Sequence, residues 1–283
     1  SLVFVQALMV AMNLWYTVAA VSGLGLGVWK VPVIRFVFSV LYFGWISITL
    51  ALLVHPISKL GFGYRKTVTS HWARFNNWFF DVQYIKEGDG ELVIKKPIMY
   101  ILPHRTWADF FIHRHVTEGI AAQLSRVLVG VIFPMFMLIA SFDNSCLFFR
   151  RDAVKKDAFF PWILSKLNKS QMCGILNYAE GTRNTKMDPK PLRRGAIYFA
   201  YEFKVPIQVI MTQGHDDVIT EKRLSVKIGN LVRYRYGNVF EPKDFETKEL
   251  FFDAVQDHFN QLFYQMYNPR KLLETYPLSP PKL

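Results

Sequence analysis

His104 and Asp109, in the run His104-Arg-Thr-Trp-Ala-Asp109, are the residues best suited to move a proton. A carboxylate that hydrogen-bonds one imidazole nitrogen fixes the tautomer and makes the other nitrogen more basic, as a general base requires. Residues five apart on an unbroken helix diverge by roughly 140°. The pair therefore meets only if His104 sits in the turn entering a helix and Asp109 lies in its first turns. A buried histidine with a structural carboxylate partner fits the same spacing.

A second group follows the apolar run Cys173–Tyr178: Glu180, Gly181, Thr182 and Arg183. Glycine just past a strand end lets backbone N–H groups approach an anion, and arginine offers a fork of donors matched to phosphate oxygens. The group reads either as a phosphate clamp or as a tight turn capped by an ordinary ion pair. Arg193 and Arg194 add positive field, and Phe148-Phe149-Arg150-Arg151 supplies two more guanidiniums after another apolar run. In α/β sheets the ligand crevice lies at the carboxyl ends of strands, so three such groups at three strand ends can converge. His113 and His115 would diverge by about 200° on a helix, so no metal site is expected. Cys146 and Cys173 read as core residues.

These groups sit in a chain of 283 residues, 51% hydrophobic and 20% charged, with a mean hydropathy of +0.14. That composition excludes a disordered chain, and its positive hydropathy argues for a part that faces lipid. The net charge of +12 favours anionic partners. Two cysteines exclude a disulfide scaffold. The start at Ser1 points to a processed or trimmed chain. The basic and aromatic stretch Tyr64–Arg74 could touch nucleic acid, but the hydrophobic runs upstream make anionic lipid the expected partner.

Ser1–Trp29 carries no charge, and a second uncharged run covers Phe36–Val54. Each is long enough to cross a hydrocarbon layer of about 30 Å, so two membrane-embedded helices are expected, either spanning or re-entrant. Gly63–Asp81 has helical spacing of Val68, Trp72, Phe75 and Phe79 and reads as an interfacial amphipathic helix or as core. Short apolar runs at 98–102, 173–178 and 206–211, with an alternating stretch at 225–236, predict strands. Helical patterns cover 107–124, 192–203 and 249–266. Val127–Phe142 is uncharged but interrupted by Pro134, and reads as buried or as an apolar surface against lipid. The Pro-rich tail Tyr276–Leu283 reads as an extended strap. The expected fold class is α/β, a mixed sheet flanked by helices and preceded by two N-terminal membrane-embedded helices. The expected division is a two-helix anchor over 1–62 and an interfacial helix plus α/β domain over 63–283.

Taken together, these motifs resemble the glycerophospholipid (lysophosphatidic acid) acyltransferase family. The family's His-x4-Asp matches His104 and Asp109, and its Glu-Gly-Thr-Arg is complete at Glu180–Arg183. Its Gly-x-x-Phe-x-x-Arg matches Phe148 and Arg151, with Ser145 where glycine is usual. Its Val-Pro strand matches Val205-Pro206, and Leu192–Ala200 is similar to the basic helix after the third motif. Pro103 and Ala179 stand where the family usually has Asn and Pro.

The resemblance implies that His104, oriented by Asp109, takes a proton from an acceptor hydroxyl as it attacks an acyl thioester. It implies that Arg151, Glu180, Gly181, Thr182 and Arg183 serve the acceptor's phosphate, with Phe148, Arg150 and Pro206 as additional site residues. It further implies acyl-CoA (or an acyl carrier protein) as co-substrate with no cofactor, and a lysophospholipid acceptor drawn from membrane lipids. No nucleic acid is involved. An endoplasmic reticulum or mitochondrial membrane is the expected residence, with subunits of a larger membrane complex as further expected partners. The rival expectation is a catalytically idle acyltransferase fold kept as a lipid-binding or structural subunit.

Overall fold

The computed structural model describes residues 31–61, 67–142, 144–149, 156–270 and 275. In chain order, helix α1 is Pro32–Leu41, followed by a π-helical turn at Tyr42–Ile46, α2 at Ser47–Gly61 and α3 at Val68–Phe79. Strands β1 (Gln83–Lys86) and β2 (Ile98–Ile101) precede α4 (Asp109–Val116), β3 (Ala121–Arg126), α5 (Val127–Ile132) and α6 (Pro134–Phe142). Then come β4 (Cys146–Phe149), α7 (Lys156–Asn168), β5 (Gly174–Asn177), α8 (Arg194–Glu202) and β6 (Ile207–Gln213). The hairpin β7 (Ile219–Thr220) and β8 (Ser225–Val226), the long strand β9 (Leu231–Phe240) and helix α9 (Lys248–Tyr267) complete the order.

The chain resolves into two compact units. One holds the described residues up to Gln83 with Thr106–Met172 and Asp217–Asn230. The other holds Tyr84–Arg105, Cys173–Asp216 and the described residues from Leu231 onward.

The first unit is mainly helical, with the parallel pair β3–β4 (Gln123 opposite Cys146) and the antiparallel β7–β8 hairpin. Its core is aromatic. Trp72 is fully buried, edge-on to Phe43 at 5.2 Å and 4.7 Å from Phe136. The π-helical turn leaves the Phe43 carbonyl to accept the Trp72 indole N–H at 2.9 Å. A Cβ on Gly44 would lie 2.8 Å from the Phe133 ring, so only glycine admits that contact. The stretch Pro32–Pro56 is one helix long and apolar enough, by length and composition, to cross a membrane. It contains the expected second run; the first run, Ser1–Trp29, and the tail Tyr276–Leu283 lie outside the described residues.

The second unit is a mixed sheet in the order β1-β9-β6-β2-β5. Strand β2 pairs in parallel with β5 (Ile98 opposite Gly174) and with β6 (Met99 opposite Ile207), whereas β9 runs antiparallel to β6. All four residues of β2 are buried, as an uninterrupted apolar run in a parallel sheet should be. Helix α9 covers the sheet with Phe251, Val255, Phe259 and Phe263, and its last turn is tied down where the Tyr267 hydroxyl donates to the Thr212 carbonyl at 2.6 Å.

Two expectations change and two become more specific. The helical pattern at 107–124 holds a helix only over 109–116. Glu118 and Gly119 take positive φ, the Gly119 N–H closes the helix on the Arg114 carbonyl at 2.8 Å, and β3 follows. The alternating stretch 225–236 is broken at Gly229, whose φ is +77°, so a two-residue strand and the start of β9 replace one strand. Pro134 divides 127–142 into α5 and α6. Helix α3, capped by the Thr67 hydroxyl on the Ser70 N–H, buries Trp72, Ala73 and Asn76 and so packs as core, with Trp78 left 75% exposed at its end.

Candidate active site

Within the mixed sheet, the parallel pairing of β2 and β5 sends both carboxyl ends to the same edge. His104 leaves β2 there, and Tyr178 and Glu180–Arg183 leave β5. The imidazole of His104 stacks on the Tyr178 ring at 4.3 Å, nearly parallel. Backbone hydrogen bonds lock the two exits together. The Asn184 N–H donates to the His104 carbonyl at 2.7 Å, and the His104 N–H donates to the Glu180 carboxylate. The histidine motif and the Glu-Gly-Thr-Arg turn are therefore one braced assembly rather than two loops.

Glu180 is the centre of that brace. It is 4% exposed, and it accepts from the Asn184 side-chain amide at 2.7 Å and from the Lys190 N–H. Burial raises its pKa above the ordinary carboxylate value, while these donors and the Arg105 guanidinium pull the other way. A carboxylate so placed repels a phosphate, and its hydrogen bonds shape the turn after β5.

Gly181 takes φ +73°, and a Cβ there would fall 1.9 Å from the Arg193 side chain. Its N–H closes the turn on the Tyr178 carbonyl at 2.9 Å, which commits that donor to the turn itself. Thr182 and Arg183 are exposed. The Lys190 ammonium donates to the Thr182 hydroxyl at 3.0 Å and to the Arg183 carbonyl at 2.9 Å. Lys190 thus joins the motif residues although no motif contains it. Its sequence signal is only a cation one short loop after an arginine.

Arg105, next to the histidine, is 4% exposed. It pairs with Asp216, donates to the Lys186 carbonyl at 2.8 Å and lies 4.6 Å over the Tyr267 ring. It fastens the loop after Arg183 to the end of α9. Pro206 precedes β6 and accepts the Met99 N–H at 2.9 Å, which anchors the strand carrying His104.

In the helical unit, Asp109 opens α4 and is fully buried. Its carboxylate accepts the Thr106 N–H at 3.1 Å, which ties the turn before α4 to the first residue of the helix. Its ligand atoms also lie within 4.8 Å of those of His113, one turn on. His113 is fully buried while His115 is exposed, so the two histidines face opposite sides of α4. Phe148 lies in β4 opposite Ser125, edge-on to Phe136. Arg150 and Arg151 lie outside the described residues.

Comparison with known proteins agrees with this arrangement. The family model described as Acyltransferase matches residues 82–213, the span from β1 through β6. Among solved structures, the chain is similar to the 1-acyl-sn-glycerophosphate (LPA) acyltransferase PlsC from Thermotoga maritima. That likeness has 15% identity and a TM-score of 0.62, and covers 82% of this chain and 96% of that one. A comparison with curated proteins finds no match. Identity this low speaks for the fold, which in both is a mixed, mostly parallel sheet flanked by helices. The family match spans the same strands and loops, so over residues 82–213 the chain is similar to the acyltransferase family.

Proposed function

We propose that the chain moves a fatty acyl group from acyl-CoA to the free hydroxyl of a lysophospholipid, 1-acylglycerol 3-phosphate, giving phosphatidic acid. The observation that carries this reading is the brace between the His104 exit and the Glu180–Arg183 turn. It holds a proton acceptor and a set of anion donors at one sheet edge. The name of the Thermotoga enzyme supports the same acceptor.

In this reaction the His104 imidazole takes the hydroxyl proton as the oxygen attacks the thioester carbonyl. The tetrahedral intermediate collapses, the C–S bond breaks, and the imidazolium returns its proton to the leaving thiolate. Asp109, the histidine's motif partner, orients the ring. Thr182, Arg183 and Arg151 hold the acceptor's phosphate, and positioning of this kind supplies several kcal/mol. The apolar helix Pro32–Pro56 and the exposed apolar residues Leu128, Val131 and Ile132 of α5 support membrane association, where both acyl chains enter from lipid.

The test is thioester release by the purified full chain with lysophosphatidic acid and acyl-CoA. Wild type turns over and His104→Ala does not. Equal, negligible release in both would leave the idle, lipid-binding subunit as the better reading. Arg183→Ala is expected to raise the acceptor KM far more than the donor KM, and an effect confined to the donor would move that arginine to the CoA site. A panel of lysophospholipids checks the acceptor, and fractionation separates endoplasmic reticulum from mitochondrial membrane.

A further inference from the structure

The helical unit contains a cleft that the acyl-transfer reaction does not use. It is a shallow, open cleft between α1 and the β7–β8 hairpin, with a volume of about 480 Å³, lined by Arg35, Asp217, Arg223, Ser225, Val226, Lys227 and Ile228. That volume falls within the about 300–1,000 Å³ common for small-molecule sites.

The charge in the cleft is one-sided. Three cations face one carboxylate, and that carboxylate, Asp217, is taken by Arg223. The loop is firmly built: the Lys227 N–H donates to the Asp217 carbonyl at 3.1 Å, and the Asn230 amide donates to the Lys227 carbonyl at 2.7 Å. Arg35 enters from the helix side. Its Nε is shut off from solvent and has no hydrogen-bond partner among the described residues, a state that a charge-assisted acceptor would relieve.

The rim is apolar. On α1 and just before it, Val31, Val33, Ile34 and Val37 are 43–51% exposed, and on the hairpin side Leu224 and Ile228 are 45% and 39% exposed. Cations inside a ring of exposed aliphatic side chains match an anion that carries a hydrocarbon tail rather than a free ion. Arg35 also stands in the first turn of the helix Pro32–Pro56, at the depth where a basic side chain meets lipid headgroups.

We infer that this cleft binds the phosphate of an anionic phospholipid headgroup, with Arg35, Arg223 and Lys227 as its donors and the lipid chains lying along α1. The shared chemistry is a phosphate oxyanion, which a soluble phosphate compound could also supply. The apolar rim assigns it to the lipid.

The experiment uses the full chain in neutral detergent, titrated separately with short-chain phosphatidylglycerol, short-chain phosphatidylcholine, inorganic phosphate and coenzyme A, with bound ligand counted by native mass spectrometry. Phosphatidylglycerol is expected to bind saturably and about tenfold more tightly than phosphatidylcholine. The double variant Arg35→Gln, Lys227→Gln is expected to lose that preference at unchanged Tm, and Arg35→Lys with Lys227→Arg is expected to keep it. Arg183→Ala is expected to leave it intact, because Arg183 does not line the cleft. Equal binding of the two lipids would overturn the inference, as would retention of the preference in the double glutamine variant or its loss in Arg183→Ala. Competition by millimolar inorganic phosphate or by coenzyme A at this site would also overturn it, by showing a soluble anion as occupant. None of these outcomes depends on turnover, so failure of the acyltransferase assignment would be read separately.

Discussion

At the scale of single residues, Glu180 is a motif carboxylate that binds neighbouring protein groups. Its carboxylate draws on Asn184, Lys190 and the His104 backbone, so it ties the turn after β5 to the segment after β2. Burial favours its protonated form and raises its pKa above 4.5. A carboxyl with a raised folded-state pKa contributes stability that is complete below the unfolded value and is lost as pH rises through the folded one. Glu180→Gln, which cannot ionise, is therefore expected to gain on wild type as pH rises from about 4 to neutrality. Denaturant midpoints measured across that range check it. A constant difference between the two proteins would show that the donors fully offset the burial. The histidine and the Glu-Gly-Thr-Arg run were legible as candidates from residue types alone, as was their place just after two strands. Lys190 and Asn184 were not, because nothing in a string reveals that a side chain folds back onto a turn eight or four residues earlier.

At the scale of elements, the turn after β5 depends on glycine for two reasons at once. Gly181 occupies the left-handed region at φ +73°, and the Arg193 side chain fills the space a Cβ would need. Gly181→Ala is expected to destabilise by about 1–2 kcal/mol from the backbone alone and to raise the acceptor KM, since the displaced turn carries Thr182 and Arg183. Pairing it with Arg193→Ala removes the clash but not the backbone penalty. The double variant should regain stability only in part, read as Tm and KM together.

In the helical unit, Trp72 binds α3 to the π-helical turn through the Phe43 carbonyl. Trp72→Ala is expected to cost about 3–5 kcal/mol, measured by denaturant unfolding. A value under about 1 kcal/mol, typical of surface sites, would mean that α3 is not core. The elements also show where reading by pattern stops. Strands β2, β5 and β6 are predominantly apolar runs and were legible. Strand β3 was not, because its buried Gln123 and Ser125 look like the polar face of the preceding helix. The Gln123 amide is satisfied by the Phe110 carbonyl at 2.8 Å, so a tertiary hydrogen bond overrides the local pattern. The helix stop at Glu118–Gly119 was present as a glycine, but only its positive φ gives it force.

At the scale of the whole chain, the +12 charge and the exposed aliphatic residues support the same partner, an anionic lipid surface, by different physics. Charge acts over a Debye length and weakens with salt, whereas apolar contact persists. Helix α5 separates the two contributions. Leu128, Val131 and Ile132 are 65%, 69% and 52% exposed, so replacing all three with serine removes little core packing, and a loss of fold is not the expected consequence. Each exposed aliphatic side chain that enters lipid contributes at about 25 cal/mol per Å² of apolar surface withdrawn from water. The triple variant should keep the wild-type Tm yet need less detergent to leave phosphatidylcholine vesicles, a lipid on which net charge has little hold. If its release matches wild type, α5 does not enter the bilayer and the membrane contact falls to the Pro32–Pro56 helix alone. If its Tm falls instead, those side chains are covered by protein, and their exposure in the isolated chain marks a protein interface rather than a lipid-facing one.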